Sequence, residues 1–233
     1  MKIDLLVPTR KRVRRLLAEF LPSLKNTAKP YNVHLCLYRD LDDAETAEAE
    51  PQIKALWPDV QVVTGQPRML TDTWNAMAKV TSGDIVCAGN DDMYFATPEW
   101  DMNIIRLAKE CKDRILLLWC DDGISGRKVS VFPFVTRRVV ELLGCLYHDF
   151  EAIYCDTWLH EVMTAVKRAA FIDGIKIFHN HPSKNPAWAD ETYLRDRALR
   201  KARDELRWVF GQADRDREKA VLHDAIRAFA NGL

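Results

Sequence analysis

The sequence predicts an α/β protein: a mostly parallel sheet with helices on both faces, followed by a C-terminal helical tail. Two observations predict this class. Short β-like runs alternate with helical stretches up to residue 124, as is typical of parallel sheets. The chain has 233 residues, of which 48% are hydrophobic and 29% charged, and this is enough for one globular domain with a sizeable core.

The first segments each show a clear pattern. Ile3–Val7 is an apolar run that Pro8 ends, and over Val13–Leu24 apolar residues recur at the spacing of a helix face. Val33–Tyr38 is a second apolar run and leads into acidic residues at 40–43. These segments predict a strand, a helix and a strand.

The next segments continue the alternation. Strands are predicted at Val60–Val63, Asp84–Ala88 and Ile115–Trp119, which are short and rich in apolar residues. Helices are predicted between them at Thr71–Lys79 and Trp100–Lys109. The strand–helix order therefore persists through the first half of the chain.

The pattern loosens in the second half. Helices are predicted at Arg137–Leu143 and Thr157–Ala170, and a strand at Ile175–Phe178. From residue 190 the chain has helical character, with opposite charges at i,i+4 spacing. We expect a main domain over residues 1–189 and a helical extension over residues 190–233 that packs on the same domain.

Charge and cysteine content argue against several classes of protein. Lys plus Arg and Asp plus Glu both number 34, and a net charge of zero does not suit a protein that holds nucleic acid by bulk charge. The six cysteines form no CxxC pair, so a zinc ribbon and a disulfide framework both lack their spacing. The first apolar run is too short for a signal peptide, and no later run approaches the roughly 20 residues of a membrane span. We expect a cytoplasmic protein with no membrane partner.

Four polar loops follow predicted strands, at residues 9–12, 40–43, 90–92 and 121–123. In open α/β sheets, the loops beyond the carboxyl ends of parallel strands carry the ligand site. The shared polarity of these loops predicts a ligand at this edge of the sheet.

The pair Asp91-Asp92 follows the fourth predicted strand at this edge. Two adjacent carboxylates beside an apolar strand are costly unless a positive group meets them. Mg²⁺ and Mn²⁺ bind carboxylate oxygens and leave positions open for substrate phosphates. An acidic turn or a helix cap is the ordinary alternative.

Two histidines and an aspartate in the second half are further candidates. His179 and His181 lie two residues apart after a β-like run, so an extended backbone would point both to one face. Either could bind a metal, and the spacing does not choose between them; ordinary packing or surface histidines are the alternative. Asp156 lies at a predicted helix start, where it suits a general base or a helix N-cap equally.

Polar residues of the first half suit a nucleotide. Arg10 lies in a basic loop after the first strand and suits a diphosphate. Asp40 could accept hydrogen bonds from a ribose or a base, and Asn75 is an unusual residue within a helix, where its amide could face the site. Ordinary turn residues and a surface amide are the alternatives.

The order of these motifs resembles the nucleotide-sugar-binding half of the GT-A-fold glycosyltransferases, close to the family 2-like group. The matching residues are Pro8-Thr9-Arg10, Asp40, Asn75, Ser82-Gly83-Asp84-Ile85-Val86 and Asn90-Asp91-Asp92, followed in the second half by Pro133–Arg138, Asp156 and a late histidine, His179 or His181. The pattern covers about residues 3–193 and is similar to small glycosyltransferases encoded by phages. It departs from the family at Gly89, where the first Asp of an Asp-x-Asp motif is expected, and at Cys155, where a Glu is usual.

The resemblance implies a GT-A-type, Rossmann-like sheet and a metal-dependent, inverting glycosyltransferase. Its cofactor would be Mn²⁺ or Mg²⁺ and its donor a nucleoside diphosphate sugar, a UDP-sugar in the first instance. Asp91 with His179 or His181 would hold the metal, and Asp156 would deprotonate the acceptor hydroxyl group. The residues implied to bind the nucleotide sugar are Pro8, Thr9, Arg10, Asp40, Asn75, Asn90 and Asp92.

Two alternatives and the acceptor stay open. A nucleotidyltransferase can use a similar sheet, although residues 8–12 lack the Gly of its usual phosphate loop. A non-catalytic nucleotide-sugar-binding or assembly protein would fit the altered motif at Gly89. Kinship with phage enzymes suggests a modified base in DNA as acceptor, in a host cytoplasm, but the zero net charge gives that no support. Glycan, protein and small-molecule acceptors are equally open.

Overall fold

The computed structural model describes residues 1–151, 153–186, 189 and 191–232, and the side chains of these except for residues 191–200. The predicted domain boundary at 189/190 therefore adjoins residue 190, which lies outside the described residues.

The described strands form one sheet. They are β1 (Ile3–Thr9), β2 (Val33–Asp40), β3 (Gln61–Gly65), β4 (Ile85–Ala88), β5 (Met93–Phe95), β6 (Leu117–Asp121), β7 (Phe134–Thr136) and β8 (Ala169–His179). Their order across the sheet is β3-β2-β1-β4-β7-β6-β8-β5. β1 pairs with β2 and β4 in parallel, as do β2 with β3 and β6 with β8. β7 is antiparallel to β4 and β6, and β5 is antiparallel to β8.

Helices cover both faces of this sheet. They are α1 (Val13–Arg15), α2 (Leu21–Thr27), α3 (Ala44–Glu48), α4 (Glu50–Leu56), α5 (Leu70–Val80), α6 (Trp100–Glu110), α7 (Arg137–Leu143), α8 (Cys155–Ala165), α9 (Glu191–Phe210) and α10 (Gln212–Ala230), with a π-helical turn at Leu16–Phe20 between α1 and α2. The predicted α/β class is confirmed.

Two hydrophobic cores result from the alternation of side chains along the strands. Leu5 of β1 packs on one face in a cluster with Phe20 and with Trp100 of α6. Leu6 points to the other face, in a cluster that includes Trp158 of α8 and Leu222 of α10. The C-terminal helix therefore buries side chains in the second core.

The predicted helix over Thr157–Ala170 is wrong at its C-terminal end. α8 ends at Ala165, and β8 begins four residues later at Ala169. Lys167 takes a left-handed conformation, with φ of +58°, which ends the helix without a Gly or Pro to mark the turn in the sequence. The predicted strand Ile175–Phe178 is accordingly only the end of β8.

Within the described part of the chain, no helix is both long and apolar enough to cross a lipid bilayer.

Candidate active site

Several candidate residues lie at the carboxyl ends of the parallel strands, as the polar loops predicted, whereas Asn75 and Asp156 lie on the helices α5 and α8. Thr9 is the last residue of β1 and Asp40 the last of β2, while Asp91 and Asp92 follow β4. His179 is the last residue of β8. Because β1 lies between β2 and β4, the loops after these three strands are neighbours.

The Asp91 side chain is buried and accepts hydrogen bonds from the Thr9 hydroxyl group and the Arg12 guanidinium group. Its side chain is only 1% exposed; Oδ2 accepts a hydrogen bond from Thr9 Oγ1 at 2.9 Å, and Oδ1 accepts one from Arg12 Nη1, also at 2.9 Å. Burial raises the pKa of Asp91, and the neighbouring Asp92 adds to this, against the opposing effect of Arg12 and Thr9. Both carboxylate oxygens of Asp91 are therefore already in use.

Asp92 faces His179. Asp92 Oδ2 lies 3.3 Å from His179 Nε2, while Oδ1 is buried and finds no hydrogen-bond donor among the described residues. Burial alone would raise the pKa of Asp92, but His179, Arg12 and Arg15 outweigh it and lower that pKa. Antiparallel pairing of β5 with β8 puts Met93 opposite His179, and Asn180 N–H donates to Asp92 C=O at 2.9 Å.

His181 lies beside His179 but belongs to the turn after β8. The two ring centroids are 4.8 Å apart. Nδ1 of His181 accepts a hydrogen bond from Ser183 N–H at 3.1 Å and lies 2.9 Å from the Ser183 hydroxyl oxygen. The ring edge of Phe132 packs against His179 from another side, with centroids 5.0 Å apart. The ring position of His179 is thus fixed by packing as well as by Asp92.

The basic loop after β1 is tied to the acidic loop after β2. Arg10 donates to Asp40 at 2.6 Å and to both carboxylate oxygens of Asp42 at 2.5 and 2.8 Å. The hydrogen bonds that Arg10 donates to Asp42, with further support from Asp40, raise the pKa of Arg10, so the guanidinium stays charged. Pro8, two residues earlier, pairs with Tyr38 in β2.

The side chains of Asn75 and Trp74 form hydrogen bonds with the backbone of two loops, one at residues 146–147 and one at Gly89. Asn75 Oδ1 accepts the backbone N–H groups of Leu146 and Tyr147 at 2.9 and 3.0 Å, and Nδ2 donates to Tyr147 C=O at 2.7 Å. Trp74 Nε1 donates to Gly89 C=O at 2.9 Å, just before Asn90. Whether Asn75 also contacts a nucleotide stays a prediction.

Asp156 lies in the first turn of α8. Its Oδ1 accepts the backbone N–H of Thr157 at 2.7 Å. Burial raises the pKa of Asp156, while hydrogen bonds from Thr157 and the charge of His179 act in the opposite direction.

Sequence reasoning missed two residues of this region. Arg12 belongs to a loop that was predicted to matter, but the sequence does not say which of its cations meets Asp91. Asp122 follows β6 and is buried, with Oδ1 accepting three backbone N–H groups, while Oδ2 finds no donor within the described residues. The polar residues 121–123 predicted a loop at the ligand edge of the sheet. They did not predict that the Asp122 side chain is buried.

The donor set at Asp92 and His179 fits a divalent cation that a substrate helps to hold. Within the described residues, no three His, Cys, Asp or Glu side chains are arranged to hold a metal by themselves. One buried carboxylate oxygen without a donor and one imidazole nitrogen supply two ligands. Mg²⁺ is commonly held by one or two carboxylates, substrate phosphates and water, so two protein ligands are compatible with it.

The strand order and flanking helices match solved structures. The mannosyltransferase PcManGT from Pyrobaculum calidifontis, in complex with GDP-Man and Mn²⁺, has a TM-score of 0.63 at 14% identity, covering 80% of this chain and 59% of that one. The chain has the GT-A fold of glycosyltransferases. It spans about three-fifths of the length of PcManGT.

A second protein has a similar structure. TarS 1–349 from S. aureus has a TM-score of 0.61 at 12% identity, covering 84% of this chain and 68% of that one. Its complex with UDP-GlcNAc has a TM-score of 0.60, again at 12% identity, covering 84% of this chain and 64% of that one. No protein-family model matches the sequence, and no curated protein matches it in sequence.

Proposed function

We propose that the chain is a metal-dependent glycosyltransferase that moves a sugar from a nucleoside diphosphate sugar to an acceptor hydroxyl group. The observation that carries this proposal is the buried Asp92 Oδ1, which finds no donor among the described residues, on a carboxylate whose Oδ2 lies 3.3 Å from His179 Nε2. Two proteins of the same fold support it, since one is solved with GDP-Man and Mn²⁺ and the other with UDP-GlcNAc.

Asp92 and His179 are the residues best placed to hold the cation. Asp91, which the resemblance assigns to the metal, already accepts one hydrogen bond on each oxygen, from Thr9 and Arg12, whereas Asp92 Oδ1 accepts none within the described residues. When bound, Mn²⁺ or Mg²⁺ would neutralise negative charge on the departing diphosphate. His181 would support the ring of His179, which it contacts.

Arg10 and Asp40 would bind the nucleotide. Their mutual ion pair fixes the guanidinium between the loops after β1 and β2. A diphosphate could replace Asp42, whose side chain is exposed, as the second partner of Arg10. The UDP-GlcNAc complex of TarS supports a uridine nucleotide as the first donor to test.

Asp156 would be the general base. Burial raises its pKa towards the range in which a carboxylate removes a proton efficiently. One carboxylate that deprotonates the acceptor for direct attack on the anomeric carbon gives inversion of configuration. The inverting outcome therefore depends on the assignment of Asp156.

Release of free nucleotide tests the proposal. The full chain is incubated with Mn²⁺ and a panel of UDP- and GDP-sugars, and nucleoside diphosphate is measured by chromatography, with Asp156→Asn and the exposed Asp173→Asn as a matched pair. We expect the wild type and Asp173→Asn to release nucleoside diphosphate and Asp156→Asn to release almost none. Release of pyrophosphate from a nucleoside triphosphate would instead indicate a nucleotidyltransferase, and binding without release a non-catalytic protein.

A further inference from the structure

Helix α9 contacts the chain that leads into α8. The sequence resemblance ends near residue 193, so most of α9 and all of α10 lie outside it. The contacts of α9 include residues 149–151 and 153–154, which we call the entry segment because they precede the first residue of α8, Cys155. Asp156 is the next residue along the chain.

Asp204 of α9 is the centre of these contacts. Its side chain is fully buried (0% exposed), yet it is a carboxylate. Oδ1 accepts the backbone N–H of Glu151 at 2.8 Å, and Oδ2 accepts that of Ile153 at 2.9 Å. A buried carboxylate needs such donors, and in return it fixes the backbone that supplies them.

Two further side chains of α9 contact the entry segment. Arg203 donates to Asp149 at 3.0 and 3.1 Å and to Glu151 at 2.7 Å. The ring of Tyr154 stacks on Trp208, with centroids 5.7 Å apart and planes 18° apart. Two successive turns of α9 therefore touch the entry segment.

α8 itself is held by the same helix pair. Trp158 Nε1 donates to Glu218 Oε2 at 2.7 Å, and the guanidinium groups of Arg207 and Arg215 lie over the Trp158 ring. Gly211, between α9 and α10, has no room for a side chain because a Cβ atom there would lie 2.4 Å from this ring. The turn between α9 and α10 therefore packs directly against α8.

The entry segment is strained and is held by α5 as well as by α9. Tyr154 has a left-handed φ of +65°, which is unfavourable for a residue other than Gly. From α5, the N–H of Leu70 donates to Glu151 C=O at 3.1 Å, and the Thr71 hydroxyl donates to Phe150 C=O. A strained conformation persists only where its surroundings determine it.

From these contacts we infer that Asp204 is a positioning residue for Asp156: it fixes the entry segment and thereby the first turn of α8. The inference rests on the proposed function, because it takes Asp156 as the base. Small displacements of a catalytic group cost large factors in rate. α9 would then be part of the catalytic scaffold.

Kinetics of Asp204 variants test the inference. Asp204→Ala and Asp204→Asn are compared in the full chain with Leu222→Ala, which truncates a buried apolar side chain of α10 and removes none of the hydrogen bonds to the entry segment. We expect Asp204→Ala to lower kcat by about 10- to 100-fold while the KM for the donor changes by less than about twofold. Asp204→Asn keeps one acceptor oxygen and should recover part of kcat. Leu222→Ala should lower the Tm and leave kcat near the wild-type value.

Amide hydrogen exchange gives a readout that does not depend on activity. We expect faster exchange at Glu151 and Ile153 in both Asp204 variants but not in Leu222→Ala. A folded Asp204→Ala or Asp204→Asn protein with wild-type kcat would overturn the inference, as would a kcat that falls in all three variants in step with Tm. If the wild type releases no nucleotide from any donor, the proposed function itself fails, which is a different result from an active Asp204 variant.

Discussion

Asp92 Oδ2 and His179 Nε2 lie 3.3 Å apart, although the two residues come from opposite halves of the chain. The short strand β5 makes this possible because it starts directly after Asp92 and pairs antiparallel with the end of β8. The site therefore depends on a three-residue strand at the edge of the sheet. Loss of that pairing would separate the two candidate ligands.

Asp92→Asn should weaken Mn²⁺-dependent nucleotide binding by more than Asp91→Asn. The amide cannot supply the anionic oxygen that a cation prefers, whereas Asp91 already has both oxygens occupied by Thr9 and Arg12. Calorimetric titration of UDP in the presence and absence of Mn²⁺ measures the difference. The exposed Asp173→Asn is the control, and a larger loss in Asp91→Asn would assign the metal to Asp91 instead.

The rate of transfer should fall at acidic pH with an apparent pKa above 3.8, the ordinary value for Asp. A base acts only when deprotonated, and burial raises the pKa of Asp156, so activity is present above this raised pKa and is lost as the pH falls through it. The dependence of kcat on pH at saturating donor measures this. An acid limb at or below the ordinary Asp value would contradict the assignment of Asp156 as the base.

Arg137→Ala should strongly destabilise the fold. Arg137 donates to the buried Asp4 at 2.5 Å and to the carbonyl groups of Ala78 and Gly83 at 2.6 and 3.0 Å. Removing the cation leaves a buried charge without its partner, a change that costs about 3–5 kcal/mol. The free energy of unfolding in urea measures it. Arg106→Ala, which removes an exposed helix pair, should cost less than about 1 kcal/mol.

The same network predicts how stability depends on pH. Burial alone would raise the pKa of Asp4, but hydrogen bonds from His34, Gly83 and Thr81 and the charge of Arg137 outweigh it and hold that pKa below the ordinary 3.8. A lowered pKa means that this stabilisation is fully present above the ordinary value and is lost as the pH falls through the lowered one. Unfolding free energies across this range should fall more steeply in the wild type than in Asp4→Asn, in which the other carboxylates with lowered pKa values still titrate.

Asn75→Ala should lower stability and leave donor affinity nearly unchanged. The amide satisfies two backbone N–H groups at the buried residues Leu146 and Tyr147, so its loss should cost roughly 1–3 kcal/mol. Thermal unfolding measures this loss. Asn103→Ala in α6, where the amide bonds only one exposed carbonyl group, is the matched control. A weakened affinity for nucleotide in a stable Asn75→Ala protein would show that Asn75 contacts the donor.

The longer elements and the edge that carries the site could be predicted from the sequence. Apolar runs such as Ile3–Val7 and polar loops such as 90–92 carry their own pattern, and α7 was predicted with the bounds Arg137–Leu143 that the structure gives it. The three-residue strands β5 and β7 carry no periodicity, so nothing marked them. They form because β5 pairs with β8, and β7 pairs with β4 and β6.

The contacts within the site were less predictable than its position. Arg12 pairs with Asp91, and Asp92 lies next to His179. Both contacts depend on loop conformation and strand register, which no local sequence pattern encodes. The charge-dense C-terminal run predicted a helix with a solvated face. It did not reveal Asp204, because one buried carboxylate among many exposed charges has the same sequence signature as its neighbours.

Anomalous scattering from a crystal of the full chain soaked with Mn²⁺ and UDP would locate the metal in the proposed site. We expect a Mn²⁺ peak within coordination distance of Asp92 Oδ1 and His179 Nε2, with the diphosphate on its open side. A metal bound away from both residues, or a nucleotide bound at this edge without any metal, would contradict it.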